Sequence, residues 1–298
     1  MLVLVFQKLD LLLISWRWGC NKIIMNRIFF LLLLGFYLGS VQAQTLPTGA
    51  DSLRVVSLSN LSQDGHTMIA LTFGQSNAAN HGKVPYTPHS AVFNYYQGKL
   101  YAAKDPLIGA TGPGGSVWSH LGDMLIDSGL YTKVIIVPIA IGGSAISRWT
   151  SSGGDGYAIL LQTLKSLDSQ HIKLTHIFWH QGETDNLLNT TAETYKKSLD
   201  TILNTIRSYH QDADLYVSIA SYHPNAITKP LGVDNVTRKA QMEFINDRRG
   251  VLLGPDTDAL IYAIDRFDGV HFSDFGMTLF AKLWVKAIKE KKEVTKDN

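Results

Sequence analysis

From residue 44 onward, short apolar runs alternate with longer stretches in which apolar side chains recur every three or four positions. The runs 67–73, 133–139, 174–179 and 215–220 are rich in Ile, Val, Leu and aromatic residues and are bounded by polar or Gly-containing segments, which predicts buried strands. Between and after them, 117–128, 157–167, 192–209 and 236–246 carry helical spacing. A last helix is expected to start near Ser273, whose hydroxyl suits an N-cap, with Leu279, Phe280, Leu283, Trp284, Ala287 and Ile288 on one face. Strands that read as continuously apolar and alternate with helices predict an α/β fold, a parallel sheet covered on both faces. Residues 78–115 break the rhythm. They are rich in Gly, Pro, Tyr and His and are expected to form a long irregular loop over the sheet's C-terminal edge, either shaping a binding site or simply covering it.

The start of the chain follows a different pattern. Arg27 precedes an apolar run over 28–38, and Gly39-Ser40-Val41-Gln42-Ala43 then supplies small residues, the arrangement of a secretory signal with cleavage after Ala43. That run is about half the roughly 20 residues needed to span a bilayer, so export is preferred over a retained anchor. Met25 is the better start, making residues 1–24 an upstream extension. Removing residues 1–43 takes away four basic side chains and one acidic one, so the net charge of +2 becomes −1. No basic stripe then remains for nucleic acid, since the cluster 286–292 fits a solvated helix face. The only cysteine, Cys20, lies in the leader, leaving the mature chain without disulfides, thiolate nucleophile or sulfur ligands. With 45% hydrophobic and 17% charged residues, the full chain has an ordinary globular composition.

Four polar segments stand out against this framework. Gly74-Gln75-Ser76-Asn77 follows the first strand, where a tight exit would expose the Ser76 hydroxyl and leave its N–H as an oxyanion donor. It is not the Gly-x-Ser-x-Gly elbow, because Ala78 stands in the second glycine's place. Gly142-Gly143-Ser144 ends the second strand with two glycines whose amides could approach a substrate oxygen. His180-Gln181-Gly182-Glu183 follows the third and offers an amide side chain. Asp268-Gly269-Val270-His271 has a spacing that lets the carboxylate reach Nδ1 while Nε2 faces a nucleophile. Each also has a plainer reading, as a turn, a strand exit or the approach to a helix. Pairs such as His180 with Asp185, or Asp268 with His271, lack further ligands at recognisable spacing, so no metal is expected.

Taken together these segments resemble the conserved blocks of the SGNH (GDSL-like) hydrolases, and within them the sialate O-acetylesterase and acetyl xylan esterase branch, similar to carbohydrate esterase family 6. The resemblance implies a three-layer α/β/α sandwich with a parallel flavodoxin-like sheet, one esterase domain over 44–298, no cofactor, and an acetylated carbohydrate as substrate. It implies Ser76 as nucleophile, His271 as general base and acid, and Asp268 as its partner. The oxyanion hole would comprise the Ser76 and Gly143 amides and the Gln181 side chain, which stands where the broader superfamily has Asn. Glu183 is either a second acidic partner of His271 or an anchor for its loop. Asn77, Gly142, Trp149, His180 and Tyr222 are candidate substrate contacts. The expected protein is a secreted or periplasmic serine esterase that meets a membrane only during export. The alternatives are another ester or thioester hydrolase, or a catalytically silent sugar-binding protein on the same scaffold.

Overall fold

The computed structural model describes residues 44–150 and 152–294, so the expected leader lies outside the described residues. Among the described residues eight strands form one sheet: β1 (Val55–Val56), β2 (Thr67–Gly74), β3 (Val92–Tyr96), β4 (Lys99–Ala102), β5 (Lys133–Pro138), β6 (His176–His180), β7 (Asp214–Ile219) and β8 (Val251–Asp256). Their order is β1-β4-β3-β5-β2-β6-β7-β8. From β3 to β8 every neighbouring pair is parallel, and β4 and β1 add an antiparallel edge. The helices are α1 (Val117–Asp127), α2 (Asp155–Ser169), α3 (Glu183–Leu188), α4 (Ala192–Arg207), α5 (Asn235–Asp247) and α6 (Asp274–Val294).

β2 shows why the sheet must be covered on both sides. All eight of its residues are buried. Ile69, Leu71 and Phe73 point into a core with Leu160 and Leu164 of α2, Leu199 and Ile202 of α4 and Phe244 of α5. Met68 and Ala70 point the other way, toward Trp118 and Leu121 of α1 and Phe280 and Trp284 of α6. The period of two in a pleated strand thus assigns alternate side chains to two separate apolar layers, giving the expected three-layer α/β/α arrangement. In α6 the expected cap is present: Ser273 Oγ accepts from the Gly276 N–H at 3.0 Å.

The stretch 78–115 is not a plain loop. It contains the β3–β4 hairpin, whose turn residues Gln97 and Gly98 both have positive φ (43° and 81°), as a two-residue type I′ turn requires. Tyr95, in β3, is buried in the α2-side core. β8 lies outside the four strands expected from the sequence; Gly254-Pro255 inside it carries a turn signal, yet Pro is tolerated at the sheet edge that β8 occupies.

The C-terminal ends of β2, β5 and β6 lie side by side at the centre of the sheet, where parallel α/β sheets place their ligand crevice. There the backbone of Gly74 comes so close to β6 that a Cβ would sit 2.0 Å from the His180 carbonyl oxygen, at a φ of +129°. Gly74→Ala therefore forces the strand ends apart. We expect a stability loss of at least about 1–3 kcal/mol, read as a lower urea midpoint, with activity falling as well.

Candidate active site

The turn after β2 is pinned from both sides. The Gln75 N–H donates to the His180 carbonyl at 3.1 Å, and the Ile141 N–H and Ser144 hydroxyl both donate to the Gly74 carbonyl, at 3.0 and 3.1 Å. Ser76 then opens a single 3₁₀ turn, Ser76–Ala78. Its hydroxyl makes no hydrogen bond and its N–H finds no acceptor among the described residues. Gln75 serves as a brace beneath it. Its Oε1 accepts from the N–H groups of Gly182 and Thr184 at 3.3 and 3.1 Å and so stitches the Ser76 turn to the start of α3.

His271 comes from a turn just before α6. Asp268 Oδ1 accepts from the Val270 and His271 N–H groups at 2.8 and 2.6 Å, and Oδ2 lies 2.7 Å from His271 Nδ1. Burial pushes the Asp268 carboxyl up, but the His271 amide, its imidazole and the Val270 amide outweigh this and leave it below the usual carboxylate range. It is therefore ionised at neutral pH and fixes the tautomer with the proton on Nδ1, leaving Nε2 as the basic nitrogen. Asn77, next to Ser76, joins the two turns: its Nδ2 donates to the Val270 carbonyl at 3.2 Å and to Glu183 Oε1 at 3.1 Å. Arg266, almost fully buried, donates to the same Val270 carbonyl and to the carbonyls of Leu260 and Thr257.

The glycine pair after β5 resolves into two roles. The Gly142 N–H is taken by Thr111 Oγ1 at 2.7 Å. The Gly143 N–H has no acceptor among the described residues, and the position faces open space with a φ of +65°. The amides of Ser76 and Gly143 are thus two donors without a partner among the described residues, of the kind that can receive a negatively charged oxygen.

Several expectations need correction. Gln181 is fully buried, and its Nε2 donates inward to the Ser144 carbonyl, to Asp185 and to Gln75 Oε1, while its Oε1 accepts from Tyr195 Oη at 2.9 Å. Both amide protons are committed, so Gln181 holds the site together from beneath and offers no donor to substrate. Glu183 does not reach His271. It is 1% exposed and binds Asn77, which makes it the loop anchor, and burial raises its pKa. Trp149 is wholly buried against Phe73 and Trp179, donating to Ser144 Oγ at 3.0 Å. His180 is equally buried, bound to Thr257 Oγ1 at 2.8 Å. Neither can touch a ligand in this structure. Tyr222 is also largely covered, lying under the Arg266 guanidinium. Among the described residues no three His, Asp or Glu side chains converge as a metal would need.

Two contributors escape sequence reasoning. His81, from the stretch after the Ser76 turn, stacks on His271 with ring centroids 5.1 Å apart and 22° between planes. Arg266 supports the His271 turn from inside. No spacing in the sequence links either residue to His271, and a lone His beside Asn80 and Gly82 is indistinguishable from a loop residue.

A family model described as carbohydrate esterase, sialic acid-specific acetylesterase, matches residues 66–280. The search of curated proteins finds no match. Among solved structures, a protein of Arabidopsis thaliana is 16% identical, with 75% of this chain covering 97% of that one at a TM-score of 0.59. NanS is 14% identical, with 77% and 98% covered and a TM-score of 0.52. A family 3 carbohydrate esterase from Clostridium thermocellum is 14% identical, with 77% and 98% covered and a TM-score of 0.50. At these identities the structures show a shared fold.

Two outcomes follow from the buried polar layer. Gln181→Ala leaves Tyr195 and Asp185 short of a partner, and at about 1–3 kcal/mol for each unsatisfied buried group the denaturation midpoint should fall clearly. Burial lowers the His180 pKa from 6.5 to about 3, with Arg266 adding to the effect. The unfolded chain therefore takes up a proton that the folded one refuses. This contribution is complete above about pH 6.5 and is lost progressively as pH falls toward 3. Between pH 7 and 5 it should cost about 2 kcal/mol, measurable as the difference in urea-unfolding free energy that is absent in a folded His180→Asn variant.

Proposed function

The chain belongs to the carbohydrate esterase family of sialic acid-specific acetylesterases and is a carboxylic ester hydrolase, and on that premise we propose that it releases acetate from O-acetylated carbohydrate outside the cytoplasm through an acetyl-enzyme on Ser76. The observation that carries the reading is the Asp268–His271 pair at 2.7 Å, tied through Val270 and Asn77 to a serine whose hydroxyl and N–H are both unengaged. A binding module has no use for an oriented base tied by shared contacts to the turn of an unpaired hydroxyl.

In the first half-reaction Ser76 Oγ attacks the acetyl carbonyl while His271 Nε2 takes its proton. Asp268 stabilises the imidazolium that results. Negative charge gathers on the former carbonyl oxygen, where the Ser76 and Gly143 N–H groups can receive it. His271 then gives the proton to the departing sugar oxygen as the C–O bond breaks, leaving acetyl-Ser76 and free alcohol. Water, deprotonated by His271, attacks the acetyl carbon and releases acetate, and the proton returns to Ser76 Oγ.

The sugar is proposed to be of the sialic acid type, which the family description supports, or of the xylan type, which the sequence resemblance implies. Acetate release from 4-nitrophenyl acetate, O-acetylated sialic acid and acetylated xylan tests both halves of the reading. Ser76→Ala should lower turnover by about 10³-fold or more on every substrate, and Asp268→Asn by roughly 10²–10⁴ through loss of the correct tautomer. Parental rates in Ser76→Ala would overturn the mechanism.

A further inference from the structure

The Asp268 hydrogen bond fixes His271 only within the plane of its ring, since a single in-plane contact leaves the imidazole able to tilt about the Nδ1–carboxylate axis. On one face that tilt meets His81, whose ring lies nearly parallel at 5.1 Å. Phe267 adds a looser, tilted contact at 6.4 Å. His81 is itself tethered, with Nε2 3.3 Å from Thr111 Oγ1. Thr111 is buried, and its backbone is pinned by bonds to Ala140 and Asn80 at 3.0 and 2.9 Å. The same Thr111 Oγ1 accepts the Gly142 N–H at 2.7 Å, one residue before the unpaired amide of Gly143.

We propose that His81 is a positioning residue for His271: it lays a flat ring on the base and, through Thr111, ties the orientation of that base to the loop that presents the Gly143 amide. The inference rests on the serine-esterase reading above. Two parts of the machinery that must meet one tetrahedral intermediate are then held by one chain of contacts, and misplacement of such groups by as little as 1 Å can cost a hundredfold in rate.

The charge state of His81 suits this role. The groups facing His271 are Asp268, His81 and, from the turn after β7, His223. Burial, then the proximity of His271, hold the His81 pKa down at about 4 against the opposing pull of Asp268. His81 is therefore neutral when His271 carries the proton taken from serine. A neutral aromatic face beside an imidazolium is attractive, whereas a second cation would oppose its formation.

The test is steady-state hydrolysis of 4-nitrophenyl acetate by His81→Ala, His81→Phe, Thr111→Val and Ser76→Ala, with thermal unfolding followed for each. We expect kcat to fall about tenfold in His81→Ala with KM within about twofold, because the contact acts on the transition state more than on bound substrate. His81→Phe should recover most of that loss, since it restores the ring face, and Thr111→Val should lower kcat in the same direction. If His81→Ala does not fold, His81→Leu replaces it, filling the space without a π face. Parental kcat in the Ala or Leu variant, or a Phe variant as impaired as Ala, would overturn the assignment. Those results against an inactive Ser76→Ala remove only the role of His81, whereas an active Ser76→Ala removes the esterase mechanism on which it rests.

Discussion

Everything in this site depends on how closely three parallel strand ends can approach. Gly74 has no side chain, so β2 and β6 meet at a distance a Cβ would forbid, and its carbonyl takes hydrogen bonds from both Ile141 and Ser144 after β5. Because the Gly74 carbonyl and the Gln75 N–H are both satisfied by neighbouring strand ends, the chain can leave the sheet sharply, with the Ser76 N–H as the amide left unpaired. Ser76 is the first residue beyond that junction, and Gly143 and His180 flank it on either side. The close approach thus sets the Ser76 turn, the Gly143 loop and the supporting layer relative to one another before any other side chain is considered.

Beneath the junction lies a layer of buried amides and carboxyls. Gln75, Gln181, Asp185, Tyr195 and Gln241 exchange hydrogen bonds, with Gln241 Nε2 reaching the Gln181 and Ala220 carbonyls at 3.0 Å each. Such a network is costly unless nearly complete, and its near-completeness makes it rigid. Asn77 and Glu183 extend it to the His271 turn, which the chain supplies from nearly 200 residues away. Glu183, poorly solvated and with Oε2 unpartnered, is the least comfortable member. Its contribution is geometric: it holds Asn77, and Asn77 holds the backbone carbonyl beside the base.

The sequence showed the framework clearly because the two periods in it are clean. β2, β5, β6 and β7 are continuously apolar, and the helices between them have one apolar face, so sheet type and layer number could be inferred. The Ser273 cap and the Asp268–His271 contact were legible for the same reason, being local. What failed was non-local. The β3–β4 hairpin was hidden in a stretch whose Gly and Pro content reads as loop, although Gln97-Gly98 between two runs of alternating residues was a turn signal. Trp149 and His180 looked like ligand contacts beside functional motifs, yet each fills the interior behind its motif. Gln181 was placed in the oxyanion hole by resemblance, and only the partners of its amide, drawn from Ser144, Asp185 and Gln75, show that both protons are spent. His81 and Arg266 could not be found at all, since a ring stack and a buried guanidinium leave no spacing in the chain.

In the proposed mechanism Ser76 carries the acyl group, and the most direct measurement of that role is covalent trapping. The protein is treated with a fluorophosphonate that reacts with activated serine hydroxyls, and the adduct is located by intact mass and peptide mapping. One adduct on Ser76, abolished in a folded His271→Ala variant, is the predicted result. An unmodified protein, or an adduct on another residue, would contradict it.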